Sequence, residues 1–328
     1  MLDRWRRPEA ICCNAPKRQS EGENRMKQGG RRGLRRLGIV LASLAGAAAV
    51  VEGIAAVRVR HLRAERAPLG GRLYAEVRGQ GNPMVFLAGL PGTTAYWDHR
   101  FDSLAQDHRL IFIDALGFGR SPWPDAGYTL DDHLGALRRT LLAEGAAAHV
   151  TFVAHSFGTI LAANYAARYP AEIDRLDLLG TPVFDDEREA RKHIRAMSST
   201  GGMFSINPVI ARESCKLHEA FGPLLSGLVP RLEKNLPPEM VRGAMLHTWQ
   251  SFNGSLRHVV LSQPITIPLA RLGGKVTFIH GRADEITSLP RIHALAARIG
   301  AKVIETEDDH TSYSFRNPDP IVAAIEGQ

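Results

Sequence analysis

The stretch VTFVAHSFGTILAANYAARYP, residues 150–170, joins two kinds of structure with almost no linker between them. Its first five residues are apolar and partly β-branched, which predicts a buried strand, and residues 157–169 are rich in Ala and Leu, which predicts a helix. Ser156 lies at the junction, with the small residues Ala154 and Gly158 two positions before and after it. Such a turn holds a hydroxyl group at the edge of a sheet, at the start of a helix whose dipole favours negative charge. The alternative is a serine that only caps the helix.

Strand-like and helix-like segments alternate along most of the remaining chain. Continuous apolar runs such as MVFLA and RLIFID are typical of parallel strands that are covered on both faces. The order strand, helix, strand therefore predicts an α/β fold with a mostly parallel sheet, helices on both faces and right-handed crossovers. The predicted strands are 72–79, 84–88, 109–114, 149–154, 175–180, 275–281 and 302–307, and the predicted helices include 130–145, 157–169 and 319–327.

The alternation stops between residues 183 and 259, which are mostly helix-like and contain five prolines. This stretch follows one predicted strand and precedes the last two. It is therefore predicted to be a helical insertion, with residues 72–182 and 260–328 forming the α/β core.

The formal net charge of +7 suggests a nucleic-acid partner until it is divided along the chain. Residues 1–66 contain 15 of the 41 Lys and Arg residues and 6 of the 34 Asp and Glu residues, so this part carries +9 and the remainder −2. The globular part has no surplus of positive charge to neutralise phosphates, which excludes nucleic acid as a partner. Cys215 is the one cysteine of that part, and no CxxC pair suggests zinc.

The basic residues at the N-terminus precede an apolar segment. Residues 1–36 are predicted to be disordered, residues 37–57 are apolar with a single charge at Glu52, and residues 58–71 are predicted to form a charged tether. The nine Leu, Ile and Val residues of the segment favour insertion by about 3–5 kcal/mol, against up to about 3 kcal/mol for one mid-bilayer carboxylate.

The segment 37–57 has two possible interpretations. As a retained anchor it gives membrane association, with the preceding arginines in the cytoplasm and the globular domain on the far side of the membrane. As a cleaved signal, GRRGLRRLGIVLA resembles a twin-arginine export signal and the domain is exported. Met26 is an alternative start.

An acid and a base that could activate Ser156 follow two later strands. A serine hydroxyl needs a base to take its proton and a carboxylate to orient that base. Asp284 in FIHGRADEIT and His310 in ETEDDHTSY both follow predicted strands, so all three side chains are expected at the carboxyl edge of the sheet. Glu285 is the alternative acid.

The glycine-rich segment FLAGLPGTTAYWD, residues 86–98, follows another buried strand. The backbone N–H groups of Leu90 and Phe157 are predicted to bind the oxyanion of a tetrahedral intermediate. Aromatic and Met residues are predicted to line an apolar substrate pocket, namely Tyr96, Trp97, Met203, Phe204 and Trp249.

With these motifs in place, residues 72–328 resemble the α/β-hydrolase superfamily. The matching motifs occur in the family's order: Gly89-Leu90, DALGFGRSPWP at 114–124, Ser156, Asp284 and His310. The resemblance implies an α/β-hydrolase fold, a serine nucleophile and a helical lid at 183–259 inserted before the last two strands. Ala88 and Ala154 depart from the family pattern, which has His and Gly at these positions, and this leaves details of the pocket and lid open.

The sequence therefore predicts a serine hydrolase that cleaves small to medium apolar carboxylic esters through an acyl-enzyme. The same triad could instead serve C–C bond hydrolysis, aminopeptidase action or cofactor-free peroxidation, and a non-catalytic binding module at the membrane is a further alternative. No cofactor is predicted. No metal is predicted either, because the histidines form no HxxxH or carboxylate cluster along the chain.

Overall fold

The computed structural model describes residues 42, 43, 45–196 and 207–327. The chain divides into two units, Met1–Val51 and Glu52–Gln328. The described residues of the first unit are helical. The α/β architecture belongs entirely to the second.

Most residues of the predicted N-terminal segments are not among the described residues. The basic segment 1–36 and part of the apolar segment 37–57 lie outside the described residues. Within the part of the chain that is described, every helix is either too short or too polar to cross a membrane.

Seven strands form one sheet, and all neighbouring pairs but one are parallel. The spatial order is β1-β3-β2-β4-β5-β6-β7, with β1 antiparallel to β3 at one edge. The strands are β1 (Ala75–Arg78), β2 (Asn82–Leu87), β3 (His108–Ile113), β4 (Val150–His155), β5 (Ile173–Leu179), β6 (Val276–Gly281) and β7 (Lys302–Thr306). The predicted mostly parallel α/β sheet is confirmed.

The helices alternate with the strands outside one long insertion. In the second unit, residues 52–66 form α1. The helices that follow are α2 (Leu130–Ala143), α3 (Phe157–Arg168), α4 (Glu187–Ala196), α5 (Pro208–Leu232), α6 (Pro238–Ala244), α7 (Trp249–Ser255), α8 (Thr266–Leu269), α9 (Leu289–Ile299) and α10 (Asp319–Glu326). A π-helical turn, Leu256–Val260, continues α7.

The sheet has an apolar core on each face. Successive residues of β2 alternate between them, with Val85 and Leu87 in one core and Met84 and Phe86 in the other. The first core also contains buried residues of α2, α3 and α9, and the second contains those of α10. Helices therefore cover both faces, which explains why the strand sequences are continuously apolar instead of alternating.

The insertion between β5 and β6 consists of α4, α5, α6, α7 and α8 in its described part. It has an apolar cluster of its own, which we name the insertion cluster and which Leu90 and Trp249 border. Its buried members are Phe184, Ala190, Ile194, Ala211, Cys215, Phe252, Leu256, Leu261 and Ile286.

The prediction of a tether at 58–71 is wrong for most of its length, because residues 58–66 continue α1. Arg58 donates hydrogen bonds to the carbonyls of His218 and Glu219, at 2.8 and 2.7 Å. Arg66 donates to the carbonyl of Gly119 and stacks on the ring of Trp123. These arginines satisfy backbone carbonyl groups of the folded unit, a role that charge patterning alone did not reveal.

Candidate active site

Ser156 occupies a single-residue turn between β4 and α3. Its backbone has φ 50° and ψ −117°, a conformation that is uncommon and strained for a residue with a side chain. Its N–H donates to the carbonyl of Leu179 at 3.0 Å, and its own carbonyl accepts from the Thr159 N–H at 2.9 Å. Bonds to the sheet and to the helix thus hold the turn on both sides.

Small side chains around this turn have a direct steric reason. A Cβ atom at Gly158 would lie 2.4 Å from the carbonyl oxygen of Leu87 and 2.9 Å from that of Ala88. Ala154 is fully buried in β4, where it pairs with Leu87 and Leu178 on the neighbouring strands. The first turn of α3 can therefore approach the end of β2 only because residue 158 has no side chain.

His310 lies between Ser156 and Asp284 and bonds to both. Its Nε2 atom is 2.9 Å from the Ser156 Oγ, and its Nδ1 atom is 2.9 Å from the Asp284 Oδ2. The three residues come from the loops after β4, β6 and β7, and so lie at the carboxyl ends of three parallel strands. The structure thus brings together the three side chains that the sequence singled out.

Asp284 is a buried carboxylate that accepts four hydrogen bonds. Oδ1 accepts from the backbone N–H groups of Ile286 and Thr287, at 2.8 and 3.2 Å, and Oδ2 accepts from His310 and from the Tyr313 hydroxyl at 2.9 Å. Burial opposes ionisation, but the charge of His310 and these hydrogen bonds outweigh it and hold the pKa of Asp284 well below its usual range. The alternative acid, Glu285, is exposed.

Tyr313 is a functional-site residue that the sequence reasoning missed. Its hydroxyl donates to Asp284 Oδ2 and accepts from the Gly281 N–H, both at 2.9 Å. The ring is fully buried, and burial followed by the nearby Asp284 charge raises the pKa of Tyr313 well above its usual value. The tyrosine stands three residues after His310, but only the fold shows that it faces Asp284.

His155, the residue before Ser156, packs beside the site and contacts the backbone of His310. Its ring stacks on Tyr96 with centroids 4.6 Å apart, and its Nε2 is 2.7 Å from the backbone carbonyl of His310. Burial, followed by the nearby charge of His310, lowers the pKa of His155 to about 3, so the ring is neutral at pH 7. As a neutral donor it fixes the backbone of His310.

The predicted pocket residues lie in different parts of the structure. Trp97 is fully buried in the core against Phe86 and Phe101, so the prediction that it lines a pocket is wrong. Tyr96 is also buried, with its hydroxyl group on the carbonyl of Thr311. Both follow the glycine-rich segment closely in sequence, but the 3-10 turn Thr94–Tyr96 directs them into the core. Trp249 is half-buried at the insertion cluster, and Met203 and Phe204 lie outside the described residues.

The two predicted oxyanion donors lie on chain segments that meet at Ser156. Phe157 is the first residue of α3, where backbone N–H groups have no partner within the helix. A Cβ atom at Gly89 would lie 3.0 Å from the Ser156 Cβ, so the backbone next to Leu90 is packed directly against the serine. The Gly92 N–H donates to the Gly89 carbonyl at 2.6 Å and closes this loop.

Asp114, at the start of the motif DALGFGRS, joins two loops near the site. Its Oδ1 accepts from the Thr94 N–H at 2.7 Å and its Oδ2 from the Arg120 N–H at 2.8 Å. Burial raises the pKa of this carboxyl group, while the backbone hydrogen bonds from Arg120 and Thr94 oppose that shift. The motif therefore supports the glycine-rich segment and does not contact Ser156 through Asp114.

A separate group of potential metal ligands lies in the insertion, where the sequence predicted none. Cys215, His218 and His247 are buried, and one ligand atom of each lies within 4.8 Å of the others. Burial raises the pKa of the Cys215 thiol to about 12 and lowers that of His218 to about 4. Cys215 and His218 lie in one helix, but 29 residues separate His218 from His247, so spacing along the chain could not reveal the group.

Comparisons with known proteins agree with the fold. A family model described as the alpha/beta hydrolase fold matches residues 82–202. The probable lysophospholipase BODYGUARD 3 of Arabidopsis thaliana is 28% identical over 258 residues, covering 70% of this chain and 52% of its own length. The crystal structure of a hydrolase from Pseudomonas aeruginosa PA01 superimposes with a TM-score of 0.59 at 22% identity, covering 78% of this chain and 93% of that one. The chain therefore has the α/β-hydrolase fold.

The α/β-hydrolase relatives differ in the chemistry that their names state. A cis-3-alkyl-4-alkyloxetan-2-one decarboxylase of Shewanella oneidensis is 34% identical over 118 residues, covering 35% of this chain and 37% of its own length. The chain thus spans about half the length of the Arabidopsis relative and less of the bacterial one. The comparisons establish the fold, and the reaction has to be argued from the geometry of the site.

Proposed function

We propose that this α/β hydrolase is a serine hydrolase that cleaves small to medium apolar carboxylic esters. The observation that carries the proposal is the position of His310, whose two ring nitrogens lie 2.9 Å from the Ser156 Oγ and 2.9 Å from the Asp284 Oδ2. A nucleophile, a base and an orienting acid are thereby connected by hydrogen bonds.

The acylation step follows from this geometry. Ser156 Oγ attacks the ester carbonyl carbon while His310 Nε2 takes the hydroxyl proton. The carbonyl oxygen becomes an oxyanion, which the N–H groups of Leu90 and Phe157 stabilise; one such donor is typically worth about 2.7–4 kcal/mol of the barrier. His310 then donates its proton to the departing alkoxide as the ester C–O bond breaks.

Deacylation repeats the sequence with water. His310 takes a proton from a water molecule, the water oxygen attacks the acyl carbon, and the Ser156 Oγ leaves and regains its proton. Asp284 remains ionised throughout because its pKa lies far below neutrality. It holds the proton of the imidazole on Nδ1 and stabilises the imidazolium that forms in each step.

An apolar acyl group is favoured by the surroundings of the site. Leu90, a proposed oxyanion donor, also packs against the insertion cluster, as does Trp249. A substrate carbonyl held at Leu90 would therefore place its acyl chain beside apolar side chains. The name of the Arabidopsis relative, a probable lysophospholipase, supports an ester substrate with an apolar chain.

The experiment combines labelling with a substrate panel. A fluorophosphonate should label Ser156 in the folded protein, and Ser156→Ala should lose both the label and at least about 10³-fold in kcat. Ser226→Ala is the matched control, since Ser226 is a helix-surface serine that donates to the Pro223 carbonyl. p-Nitrophenyl esters of graded chain length, a lysophospholipid, a peptide amide and a vinylogous diketone are assayed side by side.

The panel distinguishes the rival reactions. Fastest turnover of the esters, lost in Ser156→Ala, supports the proposal. Faster turnover of the amide or the diketone, with Ser156 labelled, refutes the ester assignment and retains the triad. An unlabelled Ser156 in folded protein refutes the triad, and unchanged biological function in Ser156→Ala would favour a binding module.

We also propose that residues 37–57 determine the location of the protein, as an anchor that leaves the domain on the non-cytoplasmic side or as a cleaved export signal. N-terminal sequencing of the mature protein together with alkaline extraction of membranes tests this. An intact N-terminus in the alkali-soluble cytoplasmic fraction would refute both versions.

A further inference from the structure

Cys215, His218 and His247 converge although they come from two parts of the insertion. Cys215 and His218 lie three residues apart in α5, so their side chains share one face of that helix. His247 lies between α6 and α7, immediately before Thr248, which caps α7. The three side chains are 4, 8 and 5% exposed, respectively.

The distances suit a tetrahedral metal ion. The Cys215 Sγ is 3.5 Å from the His247 Nε2. With typical Zn–S and Zn–N bond lengths, the S···N edge of a tetrahedral zinc site is about 3.6 Å. All three ligand atoms lie within 4.8 Å of one another, so closing the set requires movements of about 1 Å. The His218 and His247 rings are already adjacent, with centroids 4.4 Å apart.

An unpartnered nitrogen atom of His218 is a second observation that points to a ligand. The Nδ1 atom of His218 is buried and makes no hydrogen bond, and His247 faces the Cys215 Sγ through its Nε2 atom. Buried polar side-chain atoms in proteins nearly always have a partner, so the His218 nitrogen is available to a ligand. A metal ion would bind the free imidazole groups and the thiolate together.

We propose that Cys215, His218 and His247 bind one zinc ion, with the thiolate and two imidazole nitrogens as protein ligands. Thiolate and imidazole are the ligands that Zn²⁺ prefers, and hard cations such as Mg²⁺ and Ca²⁺ require oxygen atoms instead. The site joins α5 to the segment before α7 and so stabilises the insertion. It does not depend on the proposed ester hydrolysis.

Charged groups around the cluster determine how favourable it is to place a cation there. Arg58 and Lys216 are cations close to the cluster and oppose a metal ion, whereas buried Glu219 favours one. Lys216 pairs with Glu219 at 2.7 Å, so these two charges largely offset each other. The thiolate of Cys215 is the negative charge that the ion itself contacts.

The site is next to the proposed oxyanion region but separate from it. The His247 ring lies 5.8 Å from Phe118, and Phe118 lies 6.4 Å from Phe157. Loss of the metal should therefore reduce stability first, and any effect on ester turnover should follow from movement of the insertion.

The test adds Co²⁺ or Zn²⁺ to the full-length, chelator-treated protein. Co²⁺ should give one equivalent of thiolate-to-cobalt charge-transfer absorption together with intense tetrahedral d–d bands, and Zn²⁺ should displace it. A free Zn²⁺ concentration about 100 times the Kd should raise Tm by roughly 5–10 °C for a domain of this size. Cys215→Ser and His218→Gln should each lose the tetrahedral Cys/His₂ spectrum and the rise in Tm.

Two controls make the result specific. Cys12→Ser/Cys13→Ser should keep the absorption band, which excludes the N-terminal thiols, and His258→Gln should keep both signals because His258 is an exposed insertion histidine bonded to the Gly127 carbonyl. Absence of the charge-transfer band in the wild-type protein refutes the proposal, whatever the variants do. A charge-transfer band that survives in Cys215→Ser also refutes it. In either case the cluster contains only a hydrogen bond between the thiol and an imidazole ring.

Discussion

Replacing Tyr313 by Phe removes one oxygen atom and two hydrogen bonds from the buried surroundings of Asp284. The hydroxyl group donates to Asp284 Oδ2 and accepts from the Gly281 N–H, each at 2.9 Å. Loss of a hydrogen bond to a charged group costs about 1.5–3 kcal/mol, and an orphaned buried N–H about 1–3 kcal/mol. The variant should therefore lose about 2.5–6 kcal/mol of unfolding free energy.

Tyr96→Phe is the matched control for this substitution. Tyr96 is a second buried tyrosine near His155, but its hydroxyl donates to the neutral carbonyl of Thr311 at 3.2 Å. Removal of a neutral hydrogen bond should cost only about 0.5–1.5 kcal/mol. Urea unfolding of both variants, compared at equal m-values, measures the difference directly.

Activity should respond less than stability to Tyr313→Phe. Asp284 keeps its bonds from His310, Ile286 and Thr287, so the imidazole remains oriented. We expect kcat to fall by no more than about tenfold, equivalent to about 1.4 kcal/mol of barrier. Equal destabilisation by Tyr313→Phe and Tyr96→Phe would refute the idea that Tyr313 supports the carboxylate.

Three further predictions concern single side chains. Asp284→Asn should lower kcat by about 10⁴-fold, whereas the matched change Glu285→Gln should leave it within about threefold; equal losses in a kinetic assay would contradict the choice of acid. Gly158→Ala places a Cβ 2.4 Å from the carbonyl oxygen of Leu87, so the helix must shift and kcat/KM should fall by about 100-fold, and unchanged kinetics would contradict this. Burial raises the pKa of Asp177 to about 7, so the folded protein binds the carboxyl proton more tightly than the unfolded chain does. About 4 kcal/mol of unfolding free energy that is present below pH 4 is therefore lost as the pH rises to 7. Asp177→Asn should remove that contribution from urea unfolding measured across this pH range, and parallel profiles for the two proteins would refute it.

The strands and the positions of the three proposed catalytic side chains were predictable from the sequence for one physical reason. Parallel strands buried on both faces must be continuously apolar, so β2, β3, β4 and β6 stand out from the polar segments around them. The carboxyl ends of such strands meet at one edge, so polar residues just after them become neighbours. Ser156 and His310 follow β4 and β7 in this way.

The features that the sequence could not predict depend on the direction in which a side chain points. Trp97 was assigned to a pocket because it follows Leu90 closely, but one 3-10 turn is enough to direct it into the core. Cys215, His218 and His247 were overlooked because their convergence depends on how α5 packs against the segment before α7. Spacing identifies ligands within one helix, but it cannot pair a helix with a distant loop.

His155 shows how a residue without a chemical step can still determine the geometry of one that has it. It precedes Ser156 in the chain, but its Nε2 atom bonds to the His310 carbonyl, whereas the Ser156 Oγ is bonded to the ring of His310, so His310 is the base. Its Nε2 nevertheless lies 2.7 Å from the carbonyl of His310, which couples the turn that holds the nucleophile to the loop that holds the base. Because the low pKa of His155 keeps the ring neutral, this hydrogen bond does not place a second positive charge beside the imidazolium that forms on His310. A neutral ring can therefore align the two partners without opposing the proton transfer between them.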